Sequence, residues 1–213
     1  MRIGTSVYFE TTHGVIEGST LTDDQGQGSV NLISANPLPG DGIAHIVART
    51  ANDQQEIVSD IITVIFSGTP VMIVTPSTAI INQFYTFTVT DYNGNPLVQG
   101  TNITVAIGGK AVKVTGTTNR VLDDSAFSGG IDYVHVVRGP GITEFSFVVS
   151  EDIDPLDPRT PQLDAISIST SGGNGSLEIV LSGVGEPFSD TEGVSGIRMA
   201  DGSYRFEFSG ARF

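Results

Sequence analysis

Two alternating runs separated by a turn, within residues 84–107, constrain this chain more than any other stretch. Phe84-Tyr85-Thr86-Phe87-Thr88-Val89-Thr90 is aromatic and β-branched. Beyond it, Ile103, Val105 and Ile107 alternate with Asn102, Thr104 and Ala106. A period of two turns one face of a strand to a core and leaves the other wet. Between the runs lies Asp91-Tyr92-Asn93-Gly94-Asn95-Pro96. Asn and Gly tolerate positive φ and Pro cannot continue a ladder, so the chain must reverse or cross over there. The stretch predicts two strands and a corner of an antiparallel sandwich.

The rest of the chain follows the same grammar. Short apolar runs alternate with Gly, Asn, Asp and Pro, and no segment keeps the i, i+3, i+4, i+7 spacing of a helix. Strands are predicted around Val7–Phe9, over Gly18–Thr22, over Ser29–Ser34 with Val30, Leu32 and Ile33 inward, and over Ile43–Arg49 and Ile57–Phe66. After a boundary at Thr69-Pro70 they resume at Val71–Val74, Ala111–Val114, Ile131–Val137, Thr143–Ser150, Ala165–Thr170 and Leu177–Leu181.

The chain also repeats itself. Gly4-Thr5-Ser6-Val7 matches Gly100-Thr101-Asn102-Ile103, and each is followed by an alternating strand, a Gly turn and an Asp pair, Asp23-Asp24 or Asp123-Asp124. Before the second copy stand Thr69–Gln99, with two predicted strands; before the first stands almost nothing. An open sandwich short of two strands forfeits the burial that stabilises a domain, so the first copy is expected to be filled by packing or by strands from elsewhere. The expected organisation is residues 1–68 as an incomplete sandwich, 69–184 as a complete one, and 185–213 as a C-terminal hairpin.

That hairpin runs through Gly193–Met199 and Ser203–Phe208 around Ala200-Asp201-Gly202. Asp-Gly is a strong hairpin turn signal. Tyr204, Phe206 and Phe208 alternate with Ser203, Arg205 and Glu207. A lone hairpin is marginal in water. It is therefore expected to dock through Val194, Ile197, Met199, Tyr204, Phe206 and Phe208, on the incomplete unit within the chain or on a neighbour's. The alternatives are an extra hairpin on the second unit or the start of a third module.

The formal charge is −14, from 24 acids against 10 bases. Such a surface repels phosphate, which argues against nucleic acid and anionic membranes as partners. No run approaches the ~20 apolar residues of a membrane helix. There are no cysteines, hence no disulfide and no thiol chemistry. Met1–Thr5 has no apolar leader, so an exported protein would carry its signal outside this chain.

Thr88–Val105, read as Thr-Val-Thr-Asp-Tyr-Asn-Gly-Asn-Pro-Leu-Val-Gln-Gly-Thr-Asn-Ile-Thr-Val, resembles the signature of bacterial immunoglobulin-like group 1 domains, the invasin and intimin type. Gly4–Phe9, Thr22–Val30 and Gly42–Ala48 resemble later strands of the same family. The resemblance implies an all-β chain of two tandem Ig-like Greek-key β-sandwiches, on a bacterial surface or in a secreted protein. The chain departs from the pattern in lacking the first unit's opening strands and in carrying the final hairpin. It also lacks the lectin-like domain that ends adhesin tips.

Little in the sequence carries chemistry. There is no G-x-S-x-G elbow. His13, His45 and His135 sit in dissimilar contexts and read as strand or turn residues. Asp91, Asn93 and Asn95 imitate the start of an EF-hand, but Pro96 and Asn102 replace its Gly and Glu, so a structural Asx corner is expected. Glu151, Asp152, Asp154, Asp157 and Asp164 crowd a proline-stiffened loop. Calcium is the cation such oxygens would take. The plainer alternative is a solvated acidic loop with Arg159 as counter-charge. A glycosidase pair is disfavoured because no aromatic platform accompanies the carboxylates.

The sequence therefore predicts a non-enzymatic module of a bacterial surface or extracellular protein, without cofactor unless calcium binds. It would act as spacer and interaction scaffold, with other protein domains or copies of itself as partners. The alternatives are a subunit of an assembly formed by strand or hairpin exchange, and an accessory module for a glycan or protein ligand.

Overall fold

The structure, a computed structural model, describes residues 2–52, 54–123, 136–156, 159–183, 186–189, 195–198 and 204–206. Every regular element among the described residues is a β-strand, and every ladder is antiparallel. The chain is an all-β sandwich protein.

It divides into two compact units. One comprises residues 1–68, 91–95 and 125–137, the other 69–90, 96–124 and 138–213.

In the second unit, one sheet orders β10 (Val112–Gly116), β12 (Glu144–Glu151), β8 (Gln83–Thr90) and β7 (Val71–Thr75). The other orders β11 (Asn119–Val121), β9 (Asn102–Lys110), β13 (Gln162–Gly172) and β14 (Gly175–Ser182). The central ladders, β8 with β12 and β9 with β13, join strands that are not consecutive, which is the Greek-key crossover of an immunoglobulin-like sandwich. Alternation fills the space between the sheets. Tyr85, Phe87 and Val89 face the core from β8, Phe145, Phe147 and Val149 from β12, and Ile103, Val105, Ile166 and Ile168 from the opposite sheet. The Tyr85 and Phe147 rings stack at 4.8 Å and 6°, and Phe87 meets the Phe147 edge at 5.9 Å. Burial raises the Tyr85 phenol's pKa, partly offset by its bond to Ile80. That hydroxyl is satisfied, accepting from the Ile80 N–H at 2.7 Å and lying 2.9 Å from the Thr78 carbonyl it can donate to.

The first unit has one four-stranded sheet, ordered β3 (Ser19–Leu21), β1 (Ser6–Thr11), β5 (Ile43–Ala51) and β6 (Ile57–Ile65). Beside it is a ribbon of β2 (Val15–Ile16) and β4 (Leu32–Ile33). The sheet repeats β11-β9-β13-β14 strand for strand, and the β2-β4 pair corresponds in chain order and pairing to β10 and β12. Nothing among the described residues of this unit corresponds to β7 and β8.

The repeat holds at the level of single bonds. Gly4 and Gly100 take φ of +77° and +82°, the left-handed region glycine enters freely. The Gly4 N–H reaches the Thr22 carbonyl at 2.8 Å, the Gly100 N–H the Leu122 carbonyl at 2.9 Å. The hydroxyls of Thr5 and Thr101 each donate to a carbonyl three residues back, Arg2 or Val98, at 2.7 Å. Further along, Phe9 N–H to Gly18 and Val105 N–H to Thr118 are both 2.9 Å.

Three expectations change. The strand expected over Ser29–Ser34 contracts to Leu32–Ile33, with Ile33 59% exposed rather than inward. Its counterpart β12 is held along its length by β8, and β4 has no such neighbour. Most of the strand expected at Ile131–Val137 lies outside the described residues, and Val136 and Val137 are in no strand. The C-terminal hairpin gains a third strand: β15 (Glu186–Ser189), β16 (Ser195–Arg198) and β17 (Tyr204–Phe206) form their own sheet in that order.

Candidate interaction surface

The acidic loop distributes its carboxylates among separate partners. Glu151 accepts from Asn82 Nδ2 at 3.0 Å, and Asp152 pairs with Lys113 at 3.1 Å. Asp154 accepts from the Leu156 N–H at 2.8 Å, and Asp164 from Gln162 Nε2 at 2.7 Å. Asp157 lies outside the described residues. Among the described residues no three metal-ligating side chains come together.

The imitation of an EF-hand is an Asx corner. Asp91 Oδ1 accepts from the N–H groups of Asn93 and Asn95, both at 2.8 Å, and Oδ2 from the Gly68 N–H at 3.2 Å. Asn95 Nδ2 donates to the Asp41 carbonyl at 2.7 Å. With Asp91 2% and Asn95 0% exposed, the Asp91 oxygens satisfy buried backbone donors. Asp23 and Asn52 build the same i to i+2 and i+4 clasp at the surface. His13 and His45 lie near threonine hydroxyls at 3.2 Å, Thr12 and Thr63 respectively. His135 lies outside the described residues. In the ribbon, the backbone and side-chain N–H groups of Asn31 bind the Glu17 carboxylate at 2.9 and 3.2 Å and lower its pKa.

What remains is surface. Residues directly opposite in an antiparallel ladder share a face. On the inner face of the β3-β1-β5-β6 sheet, Ile46 sits opposite Ile62 and Thr50 opposite Val58. The register equates these pairs with Ile166–Leu181 and Thr170–Leu177 in the second unit. Leu181 is 4% exposed and Leu177 packs on the core. Ile62 is 54% and Val58 53% exposed. In the second unit β7 and β8 belong to the sheet facing these positions; the described residues of the first unit include no such strands. Val58 and Ile62 are not among the residues that the sequence singles out for docking. Their signal was Ile57-Val58 and Ile61-Ile62, an alternation with apolar residues on both faces of one strand.

The second unit carries an open groove of about 520 Å³ on the outer face of its β10-β12-β8-β7 sheet, lined by Ile73, Phe84, Thr86, Thr88, Glu144 and Ser146 among others. Of the docking residues expected at the C-terminus, Ile197 lies in β16, and Tyr204 and Phe206 in β17. Val194, Met199 and Phe208 lie outside the described residues. β16 and β17 pair antiparallel, with Arg198 opposite Tyr204 and Gly196 opposite Phe206; the expected turn at Ala200-Asp201-Gly202 lies outside the described residues.

No protein-family model matches the chain, and no curated protein matches it. Solved structures of S-layer proteins are similar to it. The crystal structure of the S-layer protein rSbsC(31-844) is 16% identical over 98% of this chain and 25% of that one, with a TM-score of 0.31. The crystal structure of S-layer protein SbsC domains 4 and 5 is 16% identical over 84% of this chain and 71% of that one, with a TM-score of 0.28. The chain spans about a quarter of the first of these.

Proposed function

We propose that this chain is a non-catalytic structural module of a bacterial surface or secreted protein, acting as spacer and interaction scaffold. One observation carries the reading: the Gly4 and Gly100 joints are the same joint, built twice with the same backbone bonds. A chain that repeats one strand frame, and ties Glu151, Asp152, Asp154 and Asp164 to local contacts, is organised for extension. The bacterial immunoglobulin-like group 1 resemblance is part of this proposal and supplies the extracellular setting. Antibodies against the folded chain should label intact source cells or their medium. Antigen found only after lysis would sink the reading.

A second reading, assembly with further copies, is favoured by the exposure of Val58 and Ile62 at the β6 side of an inner face whose Val7, Ala44 and Ile46 are buried.

A further inference from the structure

We propose that the inner face of the first unit is an acceptor for the β16–β17 hairpin of a second copy of this chain. The inference deepens the assembly reading above and rests on it.

The second unit shows what such a face requires. Its counterpart sheet is faced by one that includes β7 and β8, an antiparallel pair in which Val74 lies opposite Phe87. The β8 strand brings Tyr85, Phe87 and Val89 to the core. Within this chain a second segment has that pattern. Tyr204-Arg205-Phe206-Glu207-Phe208 repeats Tyr85-Thr86-Phe87-Thr88-Val89, with Tyr and Phe at the same spacing and a large apolar residue in third place. It too follows an antiparallel partner, with Gly196 opposite Phe206 as Val74 is opposite Phe87. Among the described residues, β15, β16 and β17 make ladders only with one another.

Charge on the hairpin strands runs the same way by a small margin. Residues 1–68 carry eight carboxylates against Arg2 and Arg49. Residues 193–213 carry Arg198, Arg205 and Arg212 against Asp201 and Glu207, in a chain of net charge −14. Complementary charge speeds such an encounter and apolar burial holds it. Because donor and acceptor are different surfaces, the contact is head-to-tail and propagates unless it closes into a ring.

The test uses two full-length variants. Val58→Asp/Ile62→Asp spoils the acceptor at exposed positions, and Tyr204→Asp/Phe206→Asp spoils the donor. Analytical ultracentrifugation of the purified chain should show species of two and more copies, and each variant alone should sediment as one chain. Mixed in equal amounts, the variants should give a dimer that grows no further, since each retains one intact partner surface. A wild-type chain that stays single at its highest soluble concentration overturns the inference. So does an oligomer that survives both donor substitutions, an outcome that would leave assembly standing and remove only the hairpin. These masses are independent of cell labelling, so the surface reading stands or falls separately.

Discussion

Two sheets with the same strand order have opposite fates. Both β3-β1-β5-β6 and β11-β9-β13-β14 start from a left-handed glycine and a threonine clasp. Leu181 is nevertheless sealed, while Ile62, at the matching rung, is more than half open to water. The difference lies neither in the sheet's own ladder bonds nor in the side chain's apolarity. It lies in whether a second layer faces the rung: on the first unit's inner face Val7, Ala44 and Ile46 are buried, yet the outermost strand leaves Val58 and Ile62 open.

The sharpest way to break this contrast is a matched pair of truncations. Leu181→Ala should cost about 2–5 kcal/mol in urea unfolding, and Phe147→Ala about 3–5, because each opens a cavity in a packed interior. Ile62→Ala in the single chain should stay within about 0.5 kcal/mol, as surface substitutions do. Equal costs at Leu181 and Ile62 would abolish the distinction.

The clasps make a second contrast. Asp91→Ala orphans N–H groups in a buried corner and should cost about 1–3 kcal/mol. Asp23→Ala exposes its donors to water and should cost less. Calorimetry of the two variants ranks them, and a larger loss at Asp23 would contradict the burial argument.

The glycine joints provide the third. Gly4→Ala and Gly100→Ala each force a Cβ into the left-handed region where nothing lies within 4 Å, so only backbone strain is felt, about 1–2 kcal/mol at either site. Hydrogen exchange at the flanking amides should report similar losses. A clear inequality would mean that the two joints are not one device.

The smallest effect is electrostatic. Glu17 has a depressed pKa because Asn31 binds its ionised form. Its contribution is present above the unfolded carboxyl's pKa and is lost as pH falls through the folded value. Melting curves of Glu17→Gln and the parent should therefore differ near neutrality and converge in acid. A gap that persists in acid would point to another cause.

Much of the frame was legible because alternation is a local code. Phe145, Phe147 and Val149 identify their own inward face, and Asp91-Tyr92-Asn93-Gly94-Asn95 its own corner. The Gly-Thr repeat located the equivalent joints and the absent strands. What could not be read depended on partners distant in sequence. Whether Ile33 turns inward depends on a neighbour for β4, and the third strand β15 depends on β16 offering a free edge. Glu151, Asp152, Asp154 and Asp164 looked like one group on a line of sequence. Each has its own partner instead: Asn82 and Lys113 come to Glu151 and Asp152 from far along the chain, while Leu156 and Gln162 are two residues from Asp154 and Asp164.

The threonine clasp after each glycine has a consequence for descent. It is made by one hydroxyl, two amides and a residue without a Cβ, a set that one short stretch of sequence supplies. Two genes cut and rejoined at Gly4 and Gly100 would still encode a sound joint. Lineages carrying such a unit could therefore lengthen or shorten it by recombination while its other residues drift.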